Sequence, residues 1–568
     1  VIRECLSATV STDNPEATTI EGGLHFAVFS MTPKSAIFKT TIRKPWWVGP
    51  PILLVIAVYV LPLAGAPAAT NPNEVVRIEL ASSIAFWARF DLEDSAASYG
   101  LSEDVSIRDG KFYSDKAPGL SIISAPVVWV VSPVLGRAPS SDLPAYWPLR
   151  HALTLILIAL PAVGLAFLVG TAVPCVDPTM RTSLAVIVAL TTPLLTYGTV
   201  FFGHAPAALL VTLAWFALLG FPGQPGSPGA GRAAFGGVAA GFAVSTEYPT
   251  VLIVAVIFAT LLVRRTALPI LASAVAGAFA GMIPALMYHQ VAFGAPWITG
   301  YSYKAATDFQ AIIAHGTFGI SWPSAEALWG ITFGTRRGIF YYCPLLLLTP
   351  VGLWWMVHKI GWRDAGPFLI ATVGYGLFAA GFVDWPAGWC AAARHLVPIV
   401  PLVTTVALFA AVKLAEHRWG AVVVGLLVAV SGTNALLTIA LTPFFPPEFG
   451  APLAQLVLPS LADGAGFPNL LSSGTGIAPV LVVILIAIAA TAALIWATGR
   501  LVRDRKIWLP AIFLTTVGAL LLLYSWQGSA PTPDTEFMRS QVLRRLGHIA
   551  VADRLEESLL SVATPARD

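Results

Sequence analysis

"GKFYSDKAPGLSIISAPVVWVV", residues 110–131, sets a charged corner against an apolar run. Asp115 and Lys116 stand just before Pro118-Gly119, and the run beyond them, 119–135, carries Pro126 and Pro133. It is short for a membrane span, which needs ~20 apolar residues to cross as a helix. Whether it crosses decides on which side of the membrane every later loop lies. A chain with only 11% charged residues also has little reason to place a lysine at a membrane edge without a task.

Outside this stretch the sequence is that of a polytopic membrane protein. Of its 568 residues 56% are apolar, and uncharged runs recur that are long enough, as helices, to cross a hydrocarbon core of ~30 Å. The formal charge of +3 is too small to point to a nucleic-acid partner. Cys5, Cys175, Cys343 and Cys390 are scattered without paired or metal-ligand spacing.

Residues 1–46 are polar, rich in Ser and Thr, and contain no apolar core of the signal-peptide kind. They read as a cytoplasmic segment with little order, and 1–30, ahead of Met31, as an upstream extension of the reading frame. The first membrane entry is "WVGPPILLVIAVYVLPLAGA" at 47–66. The apolar runs predict an all-α domain over 47–526 with about thirteen spans, near 48–66, 150–171, 183–201, 205–221, 233–249, 250–263, 267–289, 338–357, 365–383, 394–412, 419–440, 477–498 and 507–526.

Positive charge settles the doubtful run. If 119–135 does not cross, the basic turns at Arg264/Arg265, Lys359/Arg363, Lys413/Arg418 and Arg500/Arg503/Arg505/Lys506 share a side with Lys34, Lys39, Arg43 and Lys44. Cytoplasmic loops carry that excess, so the N-terminus is expected inside and the long loops outside. These are 67–149, 290–337, 384–393, 441–476 and a tail over 527–568 whose residues 534–562 read as one amphipathic helix, with Met538, Val542, Leu546 and Ile549 at helical spacing. Within the acidic first loop, "NEVVRIELASSIAFWARF" reads as a helix lying along the membrane on Val76, Leu80, Ile84 and Trp87. No internal repeat is evident, which leaves inverted-repeat transporter symmetry without support.

This topology gathers ionisable groups at the outer boundary: Glu74, Lys116, His204, Arg336/Arg337 and Arg394/His395. Singly each has a plain reading, as a snorkelling cation, an interface histidine, or a Glu74–Arg77 pair along one helix. Together, several cations beside groups that exchange protons suit a lipid whose headgroup is a phosphate.

"NEVVRIELASSIA" followed by "DGKFYSDKAPG" resembles the motif pattern of the GT-C integral-membrane glycosyltransferases, in the branch of protein O-mannosyltransferases and lipid A aminoarabinose transferases. The resemblance continues through "FFGHA", "STEYP", "MYHQVAFGAPWITGY", "RRGIFYYCPLLLL" and "WPAGWCAAARHLVPIVP" to bacterial members of that branch. It implies a GT-C-like fold in a bacterial inner membrane. The implied activity is transfer of a sugar from a polyprenyl-phosphate donor to a glycan, lipid or protein acceptor at the outer face. Glu74 would match an acidic catalytic residue with His204 beside it, and Lys116 the lysine on the donor phosphate. Arg77, Glu79, Tyr113, Asp115, Arg336, Arg337, Arg394 and His395 complete the expected substrate-binding set. Asn73 and His204 stand where many relatives carry Asp, so either Glu74 takes the role of base with His204 assisting or the chemistry differs. A carboxylate opposite Lys and Arg suits an inverting displacement at the anomeric carbon. The metal requirement stays open, with Glu74 and His204 the candidates to hold a divalent cation. The rival readings are a lipid-linked sugar flippase, which would want polar or broken helices at the midplane, and an inactive scaffold subunit.

Overall fold

The computed structural model describes residues 49–63, 71–137, 145–174, 176–224, 228–317, 319–502, 509–527 and 532–563, and helices dominate them. The expectations for residues 1–46 fall outside the described residues. Five helices are long and apolar enough to cross a membrane: Tyr146–Thr171, Leu268–Phe293, Arg394–Leu414, Arg418–Ala440 and Pro479–Leu501. Shorter apolar helices, among them Pro50–Val60, Pro178–Thr191, His204–Leu219 and Tyr248–Val263, pack with them. The chain is a multi-pass membrane protein built almost entirely of helices.

The bundle has two distinct ends. At one, Arg264 Nη1 donates to the Leu219 carbonyl (2.8 Å), Arg264 Nη2 to Asp364 (2.6 Å), and Arg363 to the Arg264 carbonyl (3.1 Å). These contacts tie the ends of His204–Leu219 and of the helix closing at Val263 to the start of Trp362–Ala380. At the other end lie the starts of His204–Leu219 and Arg394–Leu414 and the close of Ala230–Thr246. The expected site residues gather there.

Helices Ala230–Thr246 and Leu268–Phe293 are the most closely packed pair, and glycines allow it. A Cβ on Gly237 or Gly241 would collide with the Ala274 or Ala278 carbonyl, and one on Gly277 or Gly281 with Ala234 or Val238. Small residues at such spacing let two membrane helices approach backbone to backbone. Ser245 Oγ completes the contact by donating to the Gly281 carbonyl (3.0 Å). Glu247, which caps Ala230–Thr246, is fixed by this pairing.

Four local expectations need correction. The helix Pro72–Trp87, expected along the membrane, is packed into the protein: Asn73, Glu74 and every residue from Val76 to Ser83 are buried, with Glu74 and Arg77 paired inside. Between it and Gly119 the chain forms one β-hairpin, Val105–Arg108 paired with Lys111–Ser114. Its Asp109-Gly110 turn has both φ values positive, 51° and 75°, the geometry an Asp-Gly hairpin turn favours. The 338–357 run is broken into Ile339–Tyr342, a tight turn over Pro344–Leu348 and Thr349–Ile360. Prolines at 344 and 350 remove the backbone donors that an unbroken helix would use. The tail is two helices, Pro533–Arg545 and Ile549–Ala563, parted at Gly547, whose φ of +84° ends the first.

The Ala117 carbonyl, just before helix Gly119–Leu135, accepts from Arg77, and Arg150, in the following helix, holds Glu74; both partners sit at the start of Pro72–Trp87.

Candidate active site

Two polar clusters meet at this end of the bundle. The first is built on Glu247, from the "STEYP" stretch. Its Oε1 accepts from Arg77 Nη2 (3.0 Å) and lies 3.0 Å from His204 Nδ1. Gly203, just ahead of His204, has no side chain to block the carboxylate. Arg77 is held in turn by Asn73 Oδ1 (2.9 Å) and the Ala117 carbonyl (3.0 Å). Burial pushes the Glu247 carboxyl up, but His204, Arg77 and His395 pull it down by more, to about 2. The His204 ring stacks on Tyr197 on one side (5.6 Å, 10°) and His395 on the other (6.2 Å, 28°), and His395 in turn lies on Phe382 (5.1 Å). His204 Nε2 is buried without a hydrogen-bond partner.

The second cluster is carried by the β-hairpin. Lys116 Nζ reaches Asp104 (3.0 Å) and Asp115 (3.2 Å), and Lys304 Nζ reaches Asp115 (2.6 Å) and Asp104 (3.7 Å). Burial raises the Asp104 carboxyl, yet Lys116, Lys304 and Arg394 together hold it below its ordinary value. Asp115, fully buried beside Asp104, is raised by burial despite the two lysines. The two carboxylates outweigh burial at Lys116 and raise its ammonium. Tyr301 lies within electrostatic reach of both clusters: burial, tempered by Lys116 and Arg77 and reinforced by Asp115 and Glu247, pushes its hydroxyl up to about 12. Gly119 packs on the Ser245 carbonyl, where a Cβ would stand 2.6 Å away, so the corner after Lys116 touches the turn that carries Glu247.

The structure brings some of the expected residues here and sends others elsewhere. Arg77, Asp115, Lys116, His204, Arg394 and His395 belong to the two clusters. Arg394 makes no ion pair among the described residues, and its Nε is buried without a hydrogen-bond partner. Glu74 does not pair with Arg77. Its carboxylate accepts twice from Arg150 (2.9 and 3.0 Å) and once from the Phe201 amide (2.8 Å), with no exposed surface. These bonds occupy the oxygens a base or a metal ligand would need. Among the described residues no three His, Cys, Asp or Glu side chains are placed to hold a metal ion. Glu79 is sealed in the core with neither carboxyl oxygen hydrogen-bonded. Arg337 is fully buried and donates to the carbonyls of Pro386 (2.8 Å), Gly388 (2.8 Å), Phe445 (3.1 Å) and Arg336 (3.2 Å), which makes it a loop clamp. Arg336 is half-buried, and Tyr113 packs edge-on against Phe293 (5.8 Å). Three groups escaped the sequence reading: Glu247, although "STEYP" was singled out, Lys304 and Asp104.

No family model matches the sequence, and no curated protein matches it significantly. Among solved structures the chain is similar to ArnT from Cupriavidus metallidurans in the apo state, at TM-score 0.47 and 16% identity over 84% of this chain and 77% of that one. The form bound to undecaprenyl phosphate gives 0.47 and 16% over 87% and 80%. The Archaeoglobus fulgidus oligosaccharyltransferase AglB, in complex with an inhibitory peptide and a dolichol-phosphate, gives 0.35 and 12% over 82% and 56%. Both proteins are GT-C glycosyltransferases. At these scores the chemistry has to be argued from the chain's own residues.

Proposed function

We propose that the protein transfers a sugar from a polyprenyl-phosphate carrier to an acceptor hydroxyl at the outer face of a bacterial inner membrane, in a single displacement that inverts the anomeric carbon. The observation that carries this is Arg394. Its guanidinium is unpaired among the described residues, partly buried and beside the Lys116 cluster, at an end of an apolar bundle. An arginine that feels Asp384 and Asp104 only through space, with no direct ion pair among the described residues, suits a phosphate, which its planar fork can grip with two hydrogen bonds. The resemblance of the Tyr113–Gly119 stretch to the GT-C motif supplies the carrier class. In this arrangement Arg394 takes the phosphate directly. Lys116, already shared between Asp104 and Asp115, adds positive potential as charge builds on the leaving group.

Removing one partner of a desolvated charge pair costs on the order of 2–5 kcal/mol. Arg394→Ala is therefore expected to weaken binding of undecaprenyl phosphate to the purified protein at least about tenfold, where 1.4 kcal/mol is a factor of ten. Lys116→Ala should weaken it less, because its charge is partly neutralised at home. Unchanged affinity in folded Arg394→Ala would remove the support for this reading.

A further inference from the structure

We propose that His204 accepts the proton of the acceptor hydroxyl and that Glu247 is its positioning residue; the proposal deepens the transferase reading above and rests on it. The imidazole, stacked between Tyr197 and His395, is hydrogen-bonded at one nitrogen only. Glu247 Oε1 lies 3.0 Å from Nδ1, and Arg77, itself anchored to Asn73 and the Ala117 carbonyl, holds the same oxygen at 3.0 Å. An ionised carboxylate can only accept, so Nδ1 carries the hydrogen and Nε2 presents its lone pair. That Nε2 is buried and has no protein partner. A buried polar atom left unpaired costs about 1–3 kcal/mol, and the acceptor hydroxyl is a donor that would satisfy it. His395 does not fill the role, because it meets His204 ring face to ring face at 6.2 Å.

Three of the other carboxylates at this end are committed, and Asp384 faces Arg394 and the Ala387 amide. Glu74 is bound by Arg150 and the Phe201 amide, and Asp104 and Asp115 by the two lysines. Glu247 has three neighbours, His204, Arg77 and His395, that favour its ionised form. Arg394, next in sequence to His395, puts the phosphate-binding cation near the imidazole pair.

The step balances as follows. The acceptor O–H bond breaks and its proton goes to Nε2. The acceptor oxygen forms a bond to the anomeric carbon as the bond from that carbon to the phosphate oxygen breaks. The electron pair leaves with the polyprenyl phosphate toward Arg394, and the imidazolium is countered by Glu247 until it releases its proton to water. The charged and titratable groups facing the pair are Arg77, Tyr197, His395, Tyr301 and Tyr375.

The test uses full-length protein, undecaprenyl phosphate for binding and a polyprenyl-phosphate sugar for transfer. His204→Gln keeps a donor toward Glu247 and loses the base, so transfer should fall about 10²–10⁴-fold, the usual worth of a positioned base. Its affinity for undecaprenyl phosphate should stay within about threefold of wild type. Glu247→Gln removes the counter-charge of the imidazolium, so its acid limb of rate against pH should move to lower pH; a merely structural role would lower the rate without moving the limb. Added imidazole should restore part of the activity of His204→Ala. Wild-type transfer by His204→Gln, or an unmoved acid limb in folded Glu247→Gln, would overturn this inference and leave the transferase reading standing. Wild-type protein that neither binds the lipid phosphate nor transfers would overturn both.

Discussion

Glu74 meets Arg150 through two hydrogen bonds inside the protein, and that pairing changes what its substitution should do. As a base it would leave, on Glu74→Gln, a folded and inactive enzyme. As half of a buried ion pair it leaves Arg150 uncompensated, which costs about 3–5 kcal/mol. We predict that Glu74→Gln lowers the thermal unfolding midpoint, and that adding Arg150→Met restores much of it. A stable, donor-binding and inactive Glu74→Gln would return Glu74 to the chemistry. Glu79 gives a pH signature of its own. Burial pushes its carboxyl from an ordinary 4.5 up to about 8. The folded state therefore favours the protonated form, and this contribution is whole below about 4.5 and lost as pH rises through about 8. Thermal unfolding between pH 5 and 9 should show wild type losing stability where Glu79→Gln does not; parallel curves would mean that Glu79 is paired. Neither role was legible in the sequence. Spacing along one helix places Glu74, Arg77 and Glu79 relative to one another, but the partner of Glu74 is 76 residues away, in a segment that reads only as the start of a span.

Helix pairing at small residues fixes the geometry around Glu247, and Gly119 is where that geometry reaches Lys116. A Cβ there would stand 2.6 Å from the Ser245 carbonyl, closer than carbon and oxygen pack. Overpacking of this kind costs about 1–3 kcal/mol. Gly119→Ala is expected to push the corner after Lys116 away from the Glu247 turn and weaken undecaprenyl phosphate binding about tenfold, with the helical content unchanged. Binding at wild-type strength would show that the two clusters do not act on one ligand. Long apolar helices were legible from their runs, and the ends of Arg418–Ala440 and Pro479–Leu501 fall within three residues of those expected. Short elements were not. The hairpin over Val105–Ser114 has strands of four residues each, too few for alternation to stand out, although its Asp-Gly turn was in view. The tail helix was read through Gly547 because the apolar spacing on either side happens to stay in phase.

At the scale of the molecule, the two ends of the bundle are expected on opposite sides of the membrane, with the Glu247 and Lys116 clusters outside. Trp322 follows Ser321, which is bound to the Gly381 carbonyl at the site end, and Trp419 begins Arg418–Ala440 at the other; they are 93% and 75% exposed. A membrane-impermeant maleimide should label Trp322→Cys in intact cells and Trp419→Cys only after permeabilisation. Labelling of both from one side would break the two-ended arrangement. That Lys116, His204, Arg394 and His395 share one end was readable, because basic turns divide the loops into two sets. The wiring of the site was not, since which of several cations stays unpaired depends on carboxylates far away in sequence. The central claim is that Arg394 and the Lys116 cluster receive a lipid phosphate, and the most direct measurement is a density map of the protein with undecaprenyl phosphate. The account predicts the phosphate within hydrogen-bond distance of the Arg394 guanidinium, on the side facing Lys116 and His395, with the lipid tail leaving between helices. A phosphate bound elsewhere, with Arg394 turned to a protein carboxylate, would contradict it.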